Sequence, residues 1–251
     1  MKEAHSLTPY FHDRPLFLHA SLIGAPLPEY LRAHKDIAYE KLYSLLPKDF
    51  LMPAFTYSFG DGEFFDLRNS HPVNCGGVVD YLFRNYCRGE HLPIDRTHDP
   101  MFSVFYRGCA HLPRFLHQER ESFDCFGPDS VWAWLVESDA QIGFLNCSVN
   151  FCTFIHHVEQ SGGVTYRYPK GFIGRVIAGV NTVYFADVVY WVKPQDDSVV
   201  TDLRHLFALL DEVVYDLGEF GLLHCYSARQ IMEVGLSCLK VEPFALLREP
   251  A

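Results

Sequence analysis

The feature that most constrains this chain is an alternation of strand-like and helical patterns, broken once where two strand-like runs follow one another. Runs rich in β-branched and aromatic residues at 16–22, 50–56, 102–106, 141–147, 164–177 and 182–192 read as strands. Segments 28–46, 77–88, 129–137, 151–160, 201–217 and 227–239 carry apolar residues at helical spacing. The last of these opens with Ser227 and Gln230, the spacing of a capping box. The polar stretch 193–198 reads as a turn. There is no internal repeat, low-complexity tract or Gly/Ser linker. The expected fold is α/β: a single domain over residues 1–251 with a mixed central sheet and helices on both faces.

Composition enters where it excludes classes. At 28.8 kDa the folded chain buries about 73% of its unfolded surface, so a core forms without disulfide or metal staples. A net charge of −10 argues against binding to a nucleic-acid backbone. None of the eight cysteines is paired at C-x-x-C spacing and several sit in apolar runs, so buried, reduced thiols are expected. The N-terminal residues lack a basic segment followed by an apolar one, which predicts no secretory signal. The longest uncharged stretch, 141–155, is too short to span a bilayer and contains four Ser, Thr or Asn residues. A soluble, cytoplasmic protein with no membrane partner is expected. No Rossmann or P-loop glycine pattern, H-E-x-x-H or G-x-S-x-G motif is present, which disfavours nucleotide triphosphatases, zinc proteases and typical α/β hydrolases.

The densest polar cluster in an apolar context is Thr153, His156, His157 and Glu159. On a helix at 100° per residue, Thr153, His156 and Glu159 share one face within a 120° arc, and His157 points about 100° from His156. A carboxylate one turn from an imidazole can orient a general base; the same pattern also describes a satisfied core histidine. Together with His98 and Asp99 the pair forms a candidate metal set. Other polar turns are His98–Ser103, His19-Ala20-Ser21-Leu22 at a strand end, and Phe126–Ser130 before a helix. Alone, each of these is explained by a turn or a helix cap.

Their order carries more than any one of them. His19-Ala-Ser21-Leu, Met52-Pro-Ala-Phe-Thr56, His98-Asp-Pro with Ser103, Phe126-Gly-Pro-Asp-Ser130 and Thr153-x-x-His156-x-x-Glu159 together resemble the aminoglycoside 3-N-acetyltransferase family. The resemblance continues through Val164-Thr-Tyr166, Tyr184–Asp187 and His224-Cys-Tyr226, and so spans about 16–239. It implies an α/β domain that transfers an acyl group from coenzyme A to a sugar amine, with no permanently bound cofactor and no metal. It implies His156 as general base, Asp187 as its paired carboxylate, and Glu159 as a second group ordering the imidazole or contacting the acceptor. Ser21 and Ser103 match positions that line the pantetheine and thioester end of acetyl-CoA or a longer acyl-CoA. Backbone N–H groups near Ser103 are the expected oxyanion donors.

The chain departs from the family after the His19 motif, where a glycine-rich turn is reduced to Gly24 between Ile23 and two prolines. That change tilts the expected acceptor from an aminoglycoside to a nucleotide-linked 3-amino-dideoxy sugar of surface-polysaccharide synthesis. In that reading Tyr166 and Tyr168 stack on a base, Arg167 and Lys170 face phosphates, and His98 and Thr153 contact the sugar; a plain half-buried strand is the competing account of 166–170. Two rivals of other classes remain: a metal-dependent hydrolase using the His/Asp/Glu set, and a binding protein without turnover.

Overall fold

The computed structural model describes residues 2–3, 6–11, 14–87, 93–109, 111–179, 181–194 and 200–248. The strands are β1 (Lys2–Glu3), β2 (Leu16–Ala20), β3 (Phe50–Pro53), β4 (Phe65–Asp66), β5 (Asp95–Arg96), β6 (Val104–Arg107), β7 (Ser122–Asp124), β8 (Gln141–Leu145), β9 (Tyr168–Gly179), β10 (Thr182–Val192), β11 (Val213–Asp216) and β12 (Leu222–Ser227). The helices are α1 (Glu29–Ala33), α2 (Lys35–Leu45), α3 (Gly77–Leu82), α4 (Val131–Glu137), α5 (Ile155–Ser161), α6 (Arg204–Phe207) and α7 (Ala228–Val241). The expected helix at 77–88 widens into a π-turn over Phe83–Cys87, and its last residue lies outside the described residues. The polar turn at 193–198 also falls largely outside them.

The main sheet has eight strands in the order β1-β11-β12-β8-β2-β3-β6-β5. Its centre, β8-β2-β3, is parallel, and antiparallel strands flank it on both sides. This is the mixed α/β sheet that the alternation implied. Its central strands are buried on both faces, and their side chains divide by the period of two. Leu16 and Leu18 of β2 join one core with Leu31, Leu42 and Val79 from α1, α2 and α3. Phe17 between them joins a second core with Trp132, Val158, Leu206 and Ile231 from α4, α5, α6 and α7. Gly143 in β8 is required by this packing, since a Cβ there would lie 2.9 Å from Leu16 and 3.1 Å from Leu223.

Two findings differ from expectation. The long runs 164–177 and 182–192 do not enter the main sheet: β9 and β10 pair antiparallel in a second sheet ordered β4-β9-β10-β7. Only one face of that hairpin is covered, with Val176, Ala186 and Val188 buried and Ile173 and Phe185 exposed. The segment 201–217 is not one helix. Helix α6 takes four residues, and β-branched Val213 and Val214 start a strand that hairpins onto β12 through glycines at φ 61° and 89°. Helix α7 begins as its pattern predicts, with the Gln230 N–H donating to the Ser227 hydroxyl at 3.1 Å. All eight cysteines are unpaired, and burial pushes thiols such as Cys147 up to about 11. Among the described residues no helix is long and apolar enough to cross a membrane.

Candidate active site

The three parallel strands end on one side of the sheet, and there a cleft of about 620 Å³ opens. Crevices outside the carboxyl ends of parallel strands are where α/β proteins take ligands. His19, Ala20, Ser21 and Ile23 line it from the end of β2 and the turn after it, Pro53, Phe55 and Tyr57 from the end of β3 and the segment after it, and Asn146, Cys147, Ser148, Phe151 and Thr153 from the segment after β8. Asn74, Cys75 and Gly76 close it from the turn before α3. No Asp, Glu, Lys or Arg is among these lining residues. Asn146 fastens two walls, its Nδ2 donating to the Ser21 carbonyl at 3.1 Å and to the Phe220 carbonyl at 2.7 Å. Gly76, at φ 87°, brings backbone within reach of Ala20, where a Cβ would meet the carbonyl oxygen at 3.4 Å.

An aromatic wall leads from the cleft to His156. Tyr57 packs on Phe102 at 5.6 Å, Phe102 on Phe126 at 4.7 Å, and Phe126 edge-on to the His156 imidazole at 5.2 Å. Tyr190 of β10 sits beside Phe126, 5.9 Å from it and 6.3 Å from the same imidazole. Thr153, on the cleft, is one turn before His156 and accepts the backbone N–H of His156 at 3.1 Å through its carbonyl.

The His156 side chain is 21% exposed, and its Nδ1 lies 2.7 Å from Glu159 Oε2. Glu159 is fully buried. Arg167, 5% exposed, places Nε 2.7 Å from the same oxygen as an ion pair, and the Tyr166 hydroxyl donates to Oε1 at 3.1 Å. Burial by itself raises the Glu159 carboxyl, but His156, Arg167 and Tyr166 together outweigh it and hold the group below its ordinary value. An ionised Glu159 accepts Nδ1–H, which leaves the His156 Nε2 lone pair as the basic site. The neighbouring His157 is different: it is buried, its Nδ1–H donates to the Phe126 carbonyl at 2.7 Å, and burial lowers its pKa. It ties α5 to the loop that carries Phe126.

The other predicted residues divide clearly. Ser21 and Thr153 line the cleft. Gly24 is not among the lining residues; it stands in an open turn at φ 80°, where a Cβ would meet nothing within 4 Å. Ser103 does not reach the cleft: it is fully buried, its hydroxyl donates to the Ala54 carbonyl at 2.7 Å and accepts from Arg96 Nε at 2.9 Å. His98 is not among the cleft's lining residues; its backbone N–H donates to the Leu116 carbonyl, and burial brings its imidazole pKa down to about 4. Asp99 caps its own turn, accepting the N–H groups of Met101 and Phe102 at 2.9 Å. Asp187 is exposed on β10, on the opposite face from buried Ala186 and Val188 and from Tyr190, so strand alternation turns it away from His156. The carboxylate on the imidazole is Glu159. Tyr166 and Arg167 are enclosed around that carboxylate, which leaves only Tyr168 and Lys170 of the 166–170 set facing solvent. Among the described residues no three His, Cys, Asp or Glu side chains converge to hold a metal.

Sequence reasoning missed Arg167 as the partner of Glu159, and it missed Asn146 and the Asn74–Gly77 turn. A Gly-Gly pair opening a helical pattern was the available signal for the last of these.

Comparison with known proteins shows the family. The family model described as aminoglycoside 3-N-acetyltransferase matches residues 51–231. This chain belongs to the aminoglycoside 3-N-acetyltransferase family, and its enzyme class is that of an N-acyltransferase. Among solved structures, it is similar to AAC-IIIb in a binary complex with CoASH, at 15% identity and TM-score 0.68, covering 95% of this chain and 92% of that one. It is also similar to a mutant aminoglycoside acetyltransferase AAC(3)-IVa in complex with apramycin, at 17% identity and TM-score 0.62, over 93% and 87% of the two chains. A third is the YokD protein from Bacillus subtilis, at 14% identity and TM-score 0.64, over 94% and 87%. At these identities the likeness establishes the fold. No curated protein sequence matches the chain.

Proposed function

We propose that this protein transfers an acyl group from acyl-coenzyme A to an amine of an aminoglycoside-type amino sugar, with His156 as general base and Glu159 as the carboxylate that orients it. The observation that carries this reading is the 2.7 Å contact of His156 with a buried carboxylate, one turn from Thr153 on a cleft whose described lining residues carry no charge. An uncharged cleft suits the amide-bearing, largely apolar arm and thioester of an acyl-CoA. The sugar amine arrives as an ammonium. His156 Nε2 removes one proton, and the neutral nitrogen attacks the thioester carbon. The C–S bond then breaks, and the second amine proton neutralises the departing thiolate, leaving an amide and coenzyme A. The imidazolium formed in the first step is stabilised by Glu159, whose own charge is held by Arg167.

The enclosure of Tyr166 and Arg167 is the reason for preferring an aminoglycoside over a nucleotide-linked sugar. A diphosphate needs a cation at the site and its base an aromatic face; Arg167 and Tyr166 are already engaged by Glu159, and Lys170 lies over Phe172 rather than on the cleft. AAC-IIIb bound to CoASH and AAC(3)-IVa bound to apramycin support both halves of the reading by similarity. The test is thiol release from acetyl-CoA across a panel of aminoglycosides and of thymidine- and uridine-diphosphate amino sugars. Acetylation of an aminoglycoside is expected. Turnover confined to the nucleotide-linked sugars would reverse the choice of acceptor, and no thiol release with any amine would end the acyltransfer reading.

A further inference from the structure

The uncovered face of the second sheet has no part in the proposed mechanism. On β9 and β10 the side chains that alternate with buried Val176, Ala186 and Val188 point outward. Among them Ile173, Phe185 and Val183 are 73%, 69% and 56% exposed. Phe64, half exposed, continues the patch across a hollow of about 860 Å³ whose walls also include Ile173, Arg175 and Phe185. Apolar side chains exposed singly are ordinary on a protein surface. Four of them side by side mark a face that another surface covers.

Two charges inside the patch say what that surface is. The strand register sets Arg175 opposite Phe185 and Asp187 opposite Ile173, so the charged pair takes one diagonal of a four-residue square and the apolar pair the other. The Arg175 guanidinium lies over the Phe64 ring at 5.4 Å. Among the described residues neither Arg175 nor Asp187 has an ion-pair partner. A purely apolar cover leaves both charges unpaired, and a cover of one sign repels one of them. A second copy of the same square satisfies both. A two-fold axis along the Ile173–Phe185 diagonal brings each of those side chains against its own counterpart and each Arg175 against the other copy's Asp187. The hairpins then cross steeply, as in the orthogonal class of sheet packing. The net charge of −10 opposes indiscriminate association, whereas this square is neutral. We propose that the outer face of β9 and β10 joins two copies of the chain in an isologous dimer, with Ile173 and Phe185 at its centre and two Arg175–Asp187 ion pairs across it.

Sedimentation velocity of the full chain over a dilution series tests this, and the wild type is expected to be a dimer at about 100 μM with a Kd of micromolar order. Ile173→Thr combined with Phe185→Thr keeps the strand propensity, removes the apolar centre and should weaken the dimer about tenfold or more. Arg175→Glu alone and Asp187→Arg alone should each weaken it about tenfold, because like charges then face one another. Mixed in equal amounts, those two single variants should regain wild-type affinity to within about threefold, since the mixed dimer has opposite charges at both contacts. Circular dichroism at a concentration where all are monomeric should show wild-type melting, as the substituted side chains are exposed. A wild-type monomer at about 100 μM would overturn the proposal, and its flotation with phosphatidylcholine vesicles would assign the face to a lipid surface instead. A dimer indifferent to all three variants would overturn the choice of face. Charge variants that weaken the dimer but fail to rescue each other would overturn the two-fold pairing.

Discussion

The molecule holds two histidine–carboxylate–tyrosine clusters with the same connectivity and different surroundings. In one, His156 Nδ1 and the Tyr166 hydroxyl bond Glu159; in the other, His224 Nδ1, at 2.8 Å, and the Tyr226 hydroxyl bond Glu212. Glu159 is fully buried and paired with Arg167, whereas His224 and Glu212 are 41% and 39% exposed and, among the described residues, no arginine pairs with Glu212. Both carboxyls are held below their ordinary value. For Glu159 this happens against the upward push of burial; for Glu212 the Tyr226 hydrogen bond leads. Distance alone therefore does not mark a catalytic pair. What separates them is that water competes for every bond of the exposed cluster, and that Thr153, one turn before His156, lines the cleft.

The largest expected difference is between the two imidazoles. His156→Asn should fold normally and lose about 10²-fold or more in turnover, whereas His224→Asn should stay within about twofold. Steady-state thiol release on both variants checks this. Near wild-type turnover in the His156 variant would remove the base assignment and erase the contrast.

Next come the carboxylates. Glu159→Gln keeps the shape but leaves Arg167 without its counter-charge and the imidazolium without a stabilising one, and about 10-fold to 10²-fold loss in kcat is expected. Glu212→Gln should change kcat by less than about twofold. Asp187→Asn belongs with the second group, because its strand turns it away from the imidazole. In the double variant of His156 and Glu159, the losses should fall well short of multiplying, as for groups acting as a unit. A strong loss in the Asp187 variant, with Glu159→Gln mild, would hand the orienting role back to Asp187.

Arg167 sharpens the comparison through pH. A carboxyl whose pKa is depressed in the folded state contributes stability that is present above its unfolded value, about 4.3, and is lost as pH falls through the folded value. The groups facing Glu159 are His156 from α5, Tyr166 and Arg167 before β9, and Tyr190, which lies beside Arg167 on β10. Removing Arg167 leaves the upward push of burial less opposed. Arg167→Met should therefore move the acid limbs of both activity and melting temperature to higher pH, with Arg167→Lys in between. The melting profile and the pH–kcat profile read this directly, and unmoved acid limbs would show that Arg167 only fills space.

Much of this was legible in the sequence, and what was not has physical causes. Of the main sheet, β2, β3, β6 and β8 showed as apolar runs, whereas β1, β5, β11 and β12 were not read as strands; the pairing of His156 with Glu159 showed because three residues along a helix fix proximity locally. Asp187 was assigned by family resemblance, and no local rule tested which face of its strand it would take. Arg167 was read as a phosphate ligand since nothing in 166–170 reveals that its partner lies on another element. The segment 201–217 fits helical spacing in its apolar residues, and only the pairing of 213–216 with β12 decides for a strand. The second sheet was invisible for the same reason: consecutive strand runs do not say which sheet they join.

The smallest expected effects come from the tyrosine hydroxyls, and they test whether burial is the cause of the contrast. Tyr166→Phe removes a donor from a charged oxygen that water does not reach, so about 1–2 kcal/mol of stability should be lost together with a few-fold fall in kcat. Tyr226→Phe removes the matching donor from Glu212, but water replaces it at that partly exposed carboxylate, and about 0.5 kcal/mol or less is expected with no change in kcat. Both rings are themselves buried, so the two substitutions disturb packing alike and the difference isolates the hydroxyl's surroundings. Chemical denaturation of the two variants measures it. Equal losses at the two sites would mean that the surroundings of Glu159 confer no special strength on its hydrogen bonds, and the distinction between the clusters would then rest on the cleft alone.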